Sequence, residues 1–481
     1  MSNNYQAEFQ RWIDREKCAV SLMNIVGNLW FERSVELVLF RKPLFDVGSS
    51  EILAYHQYAG EVSGRPISIY DTLELAEVLA VSNLAPSRID LGRLCTEWMD
   101  EHIHFSSARD FVALKLARHI GKEKRSLEPK DVVLFGFGRI GRIAARELIK
   151  QTGKGEQLRL RAIVTRSCSE KELIKRAELF RTDSVHGPFQ GTVKADAEQQ
   201  ALIINGQTVY FITAKTPEEP DYTAYGIDKA LLIDNTGVFR DRAGLSRHLQ
   251  AKGIAQVLLT APAKDDIPNI VCGINDSDYA AGETVFSCAS CTTNAIVPVL
   301  HVINKHVSIK KGHIETVHAY TNDQNLLDNY HPKYRRGRSA ALNLVITETG
   351  ADKAVARVLP ELAGKLTGNA VRVPTPNGSL AILNLTLARQ TSLDQIEKLL
   401  REASLFGDLS EQIEYSVSNE VVSSDMIGNS HPAVVDGPAT ILSQDGRSLI
   451  LYVWYDNEYG YTRQVIRLAK KLAGVVRLTY Y

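Results

Sequence analysis

A cysteine and a histidine twenty-seven positions apart are the residues best suited to covalent chemistry. Cys291 stands in Ala289-Ser-Cys-Thr-Thr-Asn294, after a strand-like run and before the apolar stretch 295–302. That order predicts a thiol at the start of a helix, whose positive end favours the thiolate and so a nucleophile. Pro298 predicts a kink farther along that helix. His318, in Thr316-Val-His-Ala-Tyr-Thr-Asn-Asp323, is the matching acid and base. For an isolated cysteine, inert packing is the competing reading.

A second group of residues points to phosphate. Gly136-Phe137-Gly138-Arg139-Ile140-Gly141 is a G-x-G-x-x-G run between a strand pattern and a helix pattern. Glycines there permit a tight turn and bring backbone close to a pyrophosphate at a helix N-terminus. The next strand pattern ends in Thr165-Arg166, where an acidic residue would meet a ribose 2′-hydroxyl. A neutral threonine and an arginine lift repulsion toward a 2′-phosphate, which points to NADP, or to both NAD and NADP. A merely solvated Arg166 is the alternative.

These residues need a scaffold, and periodicity supplies one. Residues 131–136 form a short apolar strand, 140–150 a helix and 158–165 a second strand, the opening of a parallel α/β sheet. Further strands are predicted at 201–204, 208–213, 231–234, 257–261 and 284–287. From about 311 longer strands (312–319, 379–388, 448–455) surround a helix at 394–404. A last helix, 463–473, is expected to return to the nucleotide-binding part. Residues 1–129 read as helical, with cap-like starts at Ser107-Ala-Arg-Asp110 and Asp71-Thr-Leu-Glu74. The seam is expected at 121–130, where charge and a proline interrupt the pattern.

The bulk properties narrow the class. The chain has 481 residues, enough for two or three domains, with 44% hydrophobic and 23% charged residues. Fifty-six basic residues balance 56 acidic ones, so nothing favours nucleic acid or an anionic membrane as partner. The six cysteines are scattered, as in a reducing compartment. No apolar run reaches the ~18 residues of a membrane span. The N-terminal residues lack a secretory pattern, and Glu8, Asp14 and Glu16 argue against a transit peptide. A cytoplasmic protein is expected.

Several longer motifs are similar to glyceraldehyde-3-phosphate dehydrogenases: Ser290-Cys-Thr-Thr-Asn294, His318-Ala-Tyr-Thr-Asn-Asp-Gln324, Gly364-Lys-Leu-Thr-Gly368 with Arg372-Val-Pro374, and Trp454-Tyr-Asp-Asn-Glu458. Asp183-Ser-Val-His-Gly187, Thr236-Gly-Val-Phe239 and Ser423-Ser-Asp-Met-Ile-Gly428 resemble the family too, in the family's order from about 131 to the C-terminus. The resemblance implies an α/β fold. A Rossmann-type NAD(P)-binding domain (130–290) precedes an α+β catalytic domain (291–462) and a returning helix (463–481), all after a helical extension (1–129). It implies a Cys291 thioester, hydride transfer to NAD or NADP, and phosphorolysis to 1,3-bisphosphoglycerate, with His318 as base. The Cys291 amide becomes an oxyanion donor. Asn457 would orient the nicotinamide, and Thr260 and Tyr461 join the cofactor site. Thr321, Asp323 and Arg372 match the substrate-phosphate site. Ser290, Thr292, Thr349 and Gly350 match the inorganic-phosphate site, with Arg336 near both. Glyceraldehyde 3-phosphate and phosphate are the implied ligands, and a homotetramer the implied assembly.

Some positions depart from the family pattern. Ile346-Thr-Glu348-Thr349 stands for Pro-Thr-Ser-Thr, setting an acid beside the attacking-phosphate site. Asn329-Tyr330 replaces a Leu-Pro pair that helps select NAD, in the same direction as Thr165-Arg166. Ala295 replaces a second cysteine, while Cys288-Ala-Ser-Cys291 forms a CxxC. Zinc is not expected from one such pair, nor from His102 and His104. A Cys288–Cys291 disulfide switch and a packed Cys288 both remain open. Erythrose-4-phosphate dehydrogenase, which hydrolyses its thioester, and a non-catalytic regulatory protein on this fold are the other readings.

Overall fold

The computed structural model describes residues 2–121 and 127–481; the middle of the expected seam, residues 122–126, lies outside the described residues. The chain forms two compact units. One comprises Met1–Pro129 together with Thr152–Gln157 and Val475–Tyr481, and the other comprises Lys130–Gln151 and Leu158–Gly474. Among the described residues, no helix is long and apolar enough to cross a membrane.

The first unit is mainly helical, as expected: α1 (Ser2–Arg33), α2 (Ser49–Ser63), α3 (Ile69–Val81), α4 (Leu91–Glu101) and α5 (Ala108–Lys115). Ser107 caps α5, its Oγ accepting from the Asp110 amide at 3.2 Å. The cap expected at Asp71 lies three residues earlier, at Ser68, which accepts from the Tyr70 amide at 3.1 Å, and Asp71 falls in the first turn. The unit also holds a four-stranded sheet that periodicity did not predict. Its order is Lys42–Pro43, Glu36–Leu39, Ser87–Asp90 and Leu478–Tyr480, so the last strand comes from the far end of the chain. Asp90, wholly buried, organises this sheet. It ion-pairs with Arg41, accepts the amides of Phe40 (2.9 Å) and Arg41 (3.1 Å), and caps α4 through Gly92 and Arg93. A buried carboxylate with that many donors is compensated for its lost hydration.

The second unit carries two eight-stranded sheets. The first runs Val285–Ser287, Ile254–Leu259, Ala230–Asp234, Lys130–Phe135, Leu158–Thr165, Gln207–Thr213, Ala201–Ile204, Val193–Asp196. Its first six strands are parallel, and the last two are added through antiparallel pairings, so only Ala201–Ile204 runs against the rest. The central strands are buried apolar runs, as a sheet covered on both faces requires. Around it lie α6 (Arg139–Lys150), α7 (Glu170–Arg181) and the short α8 (Arg242–Ser246).

The second sheet is mixed, built on Leu366–Val373, Ile309–Ala319, Ser379–Leu387 and Ser448–Tyr455, in that order. Ile309–Ala319 lies parallel to Leu366–Val373 and sets His318 opposite Arg372. Helix α9 (Cys291–Val307) buries Ile296, Val299, Leu300 and Ile303 in the core of this lobe and runs through Pro298. Helices α10 (Ala351–Val358) and α11 (Leu393–Leu405) complete it. Helix α12 (Tyr459–Leu472) packs on α6, where the buried Glu147 accepts from Tyr459 Oη (2.9 Å) and Arg463 Nη1 (2.7 Å). The chain leaves α12 at Leu472, before the short strand Leu478–Tyr480.

Candidate active site

Local backbone demands explain the glycine loop. Gly136 has a φ of 101°, closed to residues with a Cβ at ordinary cost. A Cβ on Gly141 would lie 2.6 Å from the Gly136 carbonyl oxygen, so loop and helix pack at a distance only glycine allows. Gly138 precedes α6 without a side-chain cap. The first amides of the helix are therefore directed at whatever anion lies over the loop. This cradle fits a dinucleotide pyrophosphate. Phe137 packs edge-on to Phe211 at 5.3 Å. Ile140 is half-buried at the start of α6.

Arg139 is committed elsewhere. Its guanidinium ion-pairs with Asp183 and Glu458, which bridges two of the motifs read in the sequence. Asp456 adds to this bridge, accepting from His186 Nε2 (2.9 Å), Asn377 Nδ2 (2.7 Å) and the Glu458 and Tyr459 amides (2.8 Å each). Burial alone would raise the Asp456 carboxyl, but the His186 contact and these donors hold it below the usual range. The turn that presents Asn457 is thereby fixed.

Asn457 is buried, and its Oδ1 accepts from Ser379 Oγ (2.9 Å), which itself accepts the Ala319 amide (3.1 Å). That chain leaves the Asn457 amide nitrogen as the donor for a ligand. The Thr260 hydroxyl donates to the Asp234 carbonyl at 3.1 Å. Thr165 Oγ donates to the Ser167 carbonyl at 2.9 Å, and Arg166 is exposed. Asn329 and Tyr330 are exposed as well.

Cys291 is the first residue of α9, and Ser290 caps the helix by accepting from the Thr293 amide (3.0 Å). The turn before it is strained: Ala289, which carries a Cβ, sits at a φ of 53°. Tyr461, expected at the cofactor, is buried and spends its hydroxyl on the Ala289 carbonyl (3.1 Å), holding that turn in place. The Cys291 Sγ lies 3.6 Å from His318 Nε2. The Thr292 hydroxyl meets Tyr455 Oη at 3.0 Å.

Electrostatics in the ligand-free site differ from the sequence expectation of a thiolate. Burial pushes the Cys291 thiol up, with the Arg372 charge pulling the other way. Burial, reinforced by Arg372, lowers His318 to about 3. The resting pair is therefore a neutral thiol beside a neutral imidazole. Cys288 is fully buried and its thiol is pushed well up by burial, the surroundings of an inert packed cysteine.

Two arginines stand among the expected phosphate ligands. Arg372 Nη1 approaches His318 Nδ1 at 2.6 Å and the Ala319 carbonyl at 3.0 Å, while its Nε is buried with no partner among the described residues. Arg336 ion-pairs with Asp323 and donates through Nε (3.0 Å) and Nη2 (2.8 Å) to Thr347 Oγ1. The two guanidiniums are close enough for Arg372 to depress Arg336 after burial. Thr349 Oγ1 accepts the Ala351 amide at 3.3 Å, and Gly350 precedes α10 without a side-chain cap. Thr321 is half-buried. Glu348 points outward, although its charge acts on Arg336.

Thr347, Tyr455 and Ser379 were missed in the sequence. Thr347 and Tyr455 each lie two residues from a residue that was chosen, Thr349 and Asn457. Chemically the site offers a thiol, an imidazole, two arginines and a glycine loop before a helix, groups suited to acyl transfer on a phosphorylated carbonyl compound.

The chain is similar to known proteins along most of its length. Residues 130–242 match the model of the glyceraldehyde 3-phosphate dehydrogenase NAD binding domain, and 290–457 that of the C-terminal domain. A glyceraldehyde-3-phosphate dehydrogenase-like protein of Pseudomonas aeruginosa (strain UCBPP-PA14) is 48% identical over 94% of this chain and 98% of its own. The glyceraldehyde-3-phosphate dehydrogenases of P. aeruginosa PAO1 and Clostridium pasteurianum are 42% and 37% identical. They cover 71% and 72% of this chain, and 98% and 99% of their own. The first relative thus shares most of the N-terminal segment as well.

Proposed function

The chain belongs to the glyceraldehyde-3-phosphate dehydrogenase family, and from that premise we propose that it is the phosphorylating enzyme, oxidising glyceraldehyde 3-phosphate to 1,3-bisphosphoglycerate. The observation that carries this reading is the 3.6 Å approach of Cys291 Sγ to His318 Nε2 at the start of α9, with Arg372 beside the pair. We assign 130–290 to cofactor binding and 291–462 to catalysis.

Cys291 Sγ attacks the aldehyde carbon, forming the C–S bond, as His318 moves the thiol proton to the carbonyl oxygen. The Cys291 amide at the helix start stabilises that oxygen. His318 then removes the hydroxyl proton while the carbon gives up hydride, leaving a thioester. A nicotinamide cofactor, when bound, would supply the hydride acceptor, and Asn457 with the 136–141 loop would hold it. Inorganic phosphate, held by Thr349, Gly350 and Arg336, attacks the thioester; the C–S bond breaks and the thiol is restored. Arg372 and Thr321 hold the substrate's own phosphate. We extend the proposal to a cytoplasmic homotetramer, which the exposed apolar side chains of 326–346 support.

The finer cofactor reading is NADP, or both cofactors, supported by the exposed Arg166 after Thr165. One kinetic matrix tests the reaction and the cofactor: NAD and NADP against glyceraldehyde 3-phosphate and erythrose 4-phosphate, with and without inorganic phosphate. Turnover of glyceraldehyde 3-phosphate that requires phosphate is expected. Phosphate-independent turnover of erythrose 4-phosphate would replace the reading by the hydrolysing relative, and absence of any reduced-cofactor burst would end it.

A further inference from the structure

The N-terminal unit contains a cleft of its own. It opens between α1 and α2, with a volume of about 670 Å³, inside the range of about 300–1,000 Å³ typical of small-molecule sites. Trp12 of α1 and Leu53, Ala54 and Ile67 line it. Trp12 is 43% exposed, which leaves apolar surface to solvent.

His56 forms part of the wall and is not a free base. Its Nδ1 lies 2.7 Å from the Ile52 carbonyl, which only accepts, and its Nε2 lies 2.8 Å from Thr72 Oγ1. Burial lowers the ring below its ordinary range, so it is neutral and both nitrogens are occupied.

The charges around the cleft are unequal in their commitments. Arg65 is held by both oxygens of Asp100, at 2.6 and 2.9 Å, and by the Thr96 carbonyl at 2.7 Å. Arg15 has no carboxylate or hydrogen-bond partner among the described residues, and it lies three positions after Trp12, on the same side of α1. Glu61 accepts a 3.4 Å bond from Gln57. A flat ring, apolar walls and one uncommitted guanidinium match a ligand with an aromatic body and an anionic head.

We infer that this cleft binds a small-molecule anion with a flat aromatic ring, its ring against Trp12 and its anionic head on Arg15. Aromatic carboxylates and nucleoside monophosphates share that chemistry. The site shares no residue with the 136–141 loop, so it is a second ligand site on the chain, independent of the oxidoreductase reading.

Equilibrium dialysis of the full chain tests this, with saturating NAD and NADP present to fill the nucleotide loop, and 2-naphthoate, AMP and inorganic phosphate as probes. One molecule of 2-naphthoate or AMP per chain is expected, and the tighter of the two identifies the source of the chemistry. Arg15→Ala and Trp12→Ala each weaken it at least about tenfold, the scale of one lost charge-assisted bond, and Arg15→Lys restores part of the loss. Both side chains are exposed on α1, and unchanged melting curves confirm that the variants fold. Binding of neither aromatic probe, binding equal in both variants, or binding of phosphate as tight as that of AMP would overturn the proposal.

Discussion

Arg372 Nη1 lies 2.6 Å from His318 Nδ1, and both compete for the Ala319 carbonyl, 3.0 Å from the arginine and 2.7 Å from the imidazole. A guanidinium only donates, so this contact makes Nδ1 the acceptor and puts the ring proton on Nε2, toward Cys291. Nε2 accepts a proton only when Nδ1–H donates to Ala319 and Arg372 turns to another anion. A substrate phosphate is such an anion. Arg372→Leu is therefore expected to raise the His318 pKa from about 3, because one of its two depressing causes disappears while burial stays. NMR titration, with His318→Asn to assign the resonance, reads the shift. The kcat/KM should fall about ten- to hundred-fold for one lost charged contact. An unmoved imidazole would contradict the coupling.

The chemical step separates the two partners at the 3.6 Å contact. Cys291→Ser is expected to abolish the stoichiometric burst of reduced cofactor while cofactor affinity is retained. His318→Asn should keep a burst but slow it by about 10²–10⁴, the usual value of a positioned general base. Rapid-mixing absorbance at the reduced nicotinamide band distinguishes them. A full-rate burst in either variant would remove that residue from the mechanism.

What was legible in the sequence was mostly local. Gly141 declares its role because a Cβ there would meet the Gly136 oxygen at 2.6 Å, a constraint expressed within six residues. The buried strands of the first sheet are apolar runs, and the Ser107 cap sits next to what it caps. The rest is long-range. Thr292 meets Tyr455 across 163 positions, and no periodicity encodes that pairing. Leu478–Tyr480 joins Ser87–Asp90 at the far end of the chain, and strands of two to four residues are too short to show alternation. The neutral resting state of Cys291 and His318 was equally hidden, since it depends on burial by side chains from several elements.

The depressed His318 also sets an acid limit on stability. Its folded pKa of about 3 lies below the ordinary 6.5, so the unfolded chain binds the extra proton between these values. Stability is therefore intact above about pH 6.5 and falls as pH drops through that window, by at most about 1.4 kcal/mol per unit. His318→Asn has no such proton to take up. Its urea midpoint should decline less steeply than that of the wild type between pH 6.5 and 4. Parallel declines would show that the imidazole is not held neutral by the fold.

Arg336 owes its orientation to Thr347, which accepts from both Nε and Nη2, and to Asp323. Thr347→Val keeps the shape of the side chain and removes the acceptor. The guanidinium then swings toward Asp323, and the attacking phosphate loses a preplaced partner. The KM for inorganic phosphate should rise about three- to ten-fold, matching a bond worth about 0.5–1.5 kcal/mol, with little change in the burst. A slower burst at unchanged phosphate KM would place Arg336 at the first step instead.

We propose that cofactor choice turns on a loop held by an anion. Glu172 is kept at about 2 by the Ser167 hydroxyl, then by the Ser169 amide and hydroxyl, so it is charged throughout the working range. Its bonds to Ser167 Oγ (2.6 Å) and the Ser169 amide (2.8 Å) fix the turn just after Arg166. Arg166 is exposed and makes no ion pair among the described residues. A 2′-phosphate would give it a partner, whereas a 2′-hydroxyl would give it little, so we propose that this side chain separates the two cofactors. Arg166→Ala is expected to lower kcat/KM with NADP about ten- to hundred-fold and to leave the NAD value within about twofold. The discrimination should weaken at high salt, because an exposed ion pair is screened. Equal losses with both cofactors would mean that Arg166 supports the turn and does not read the phosphate.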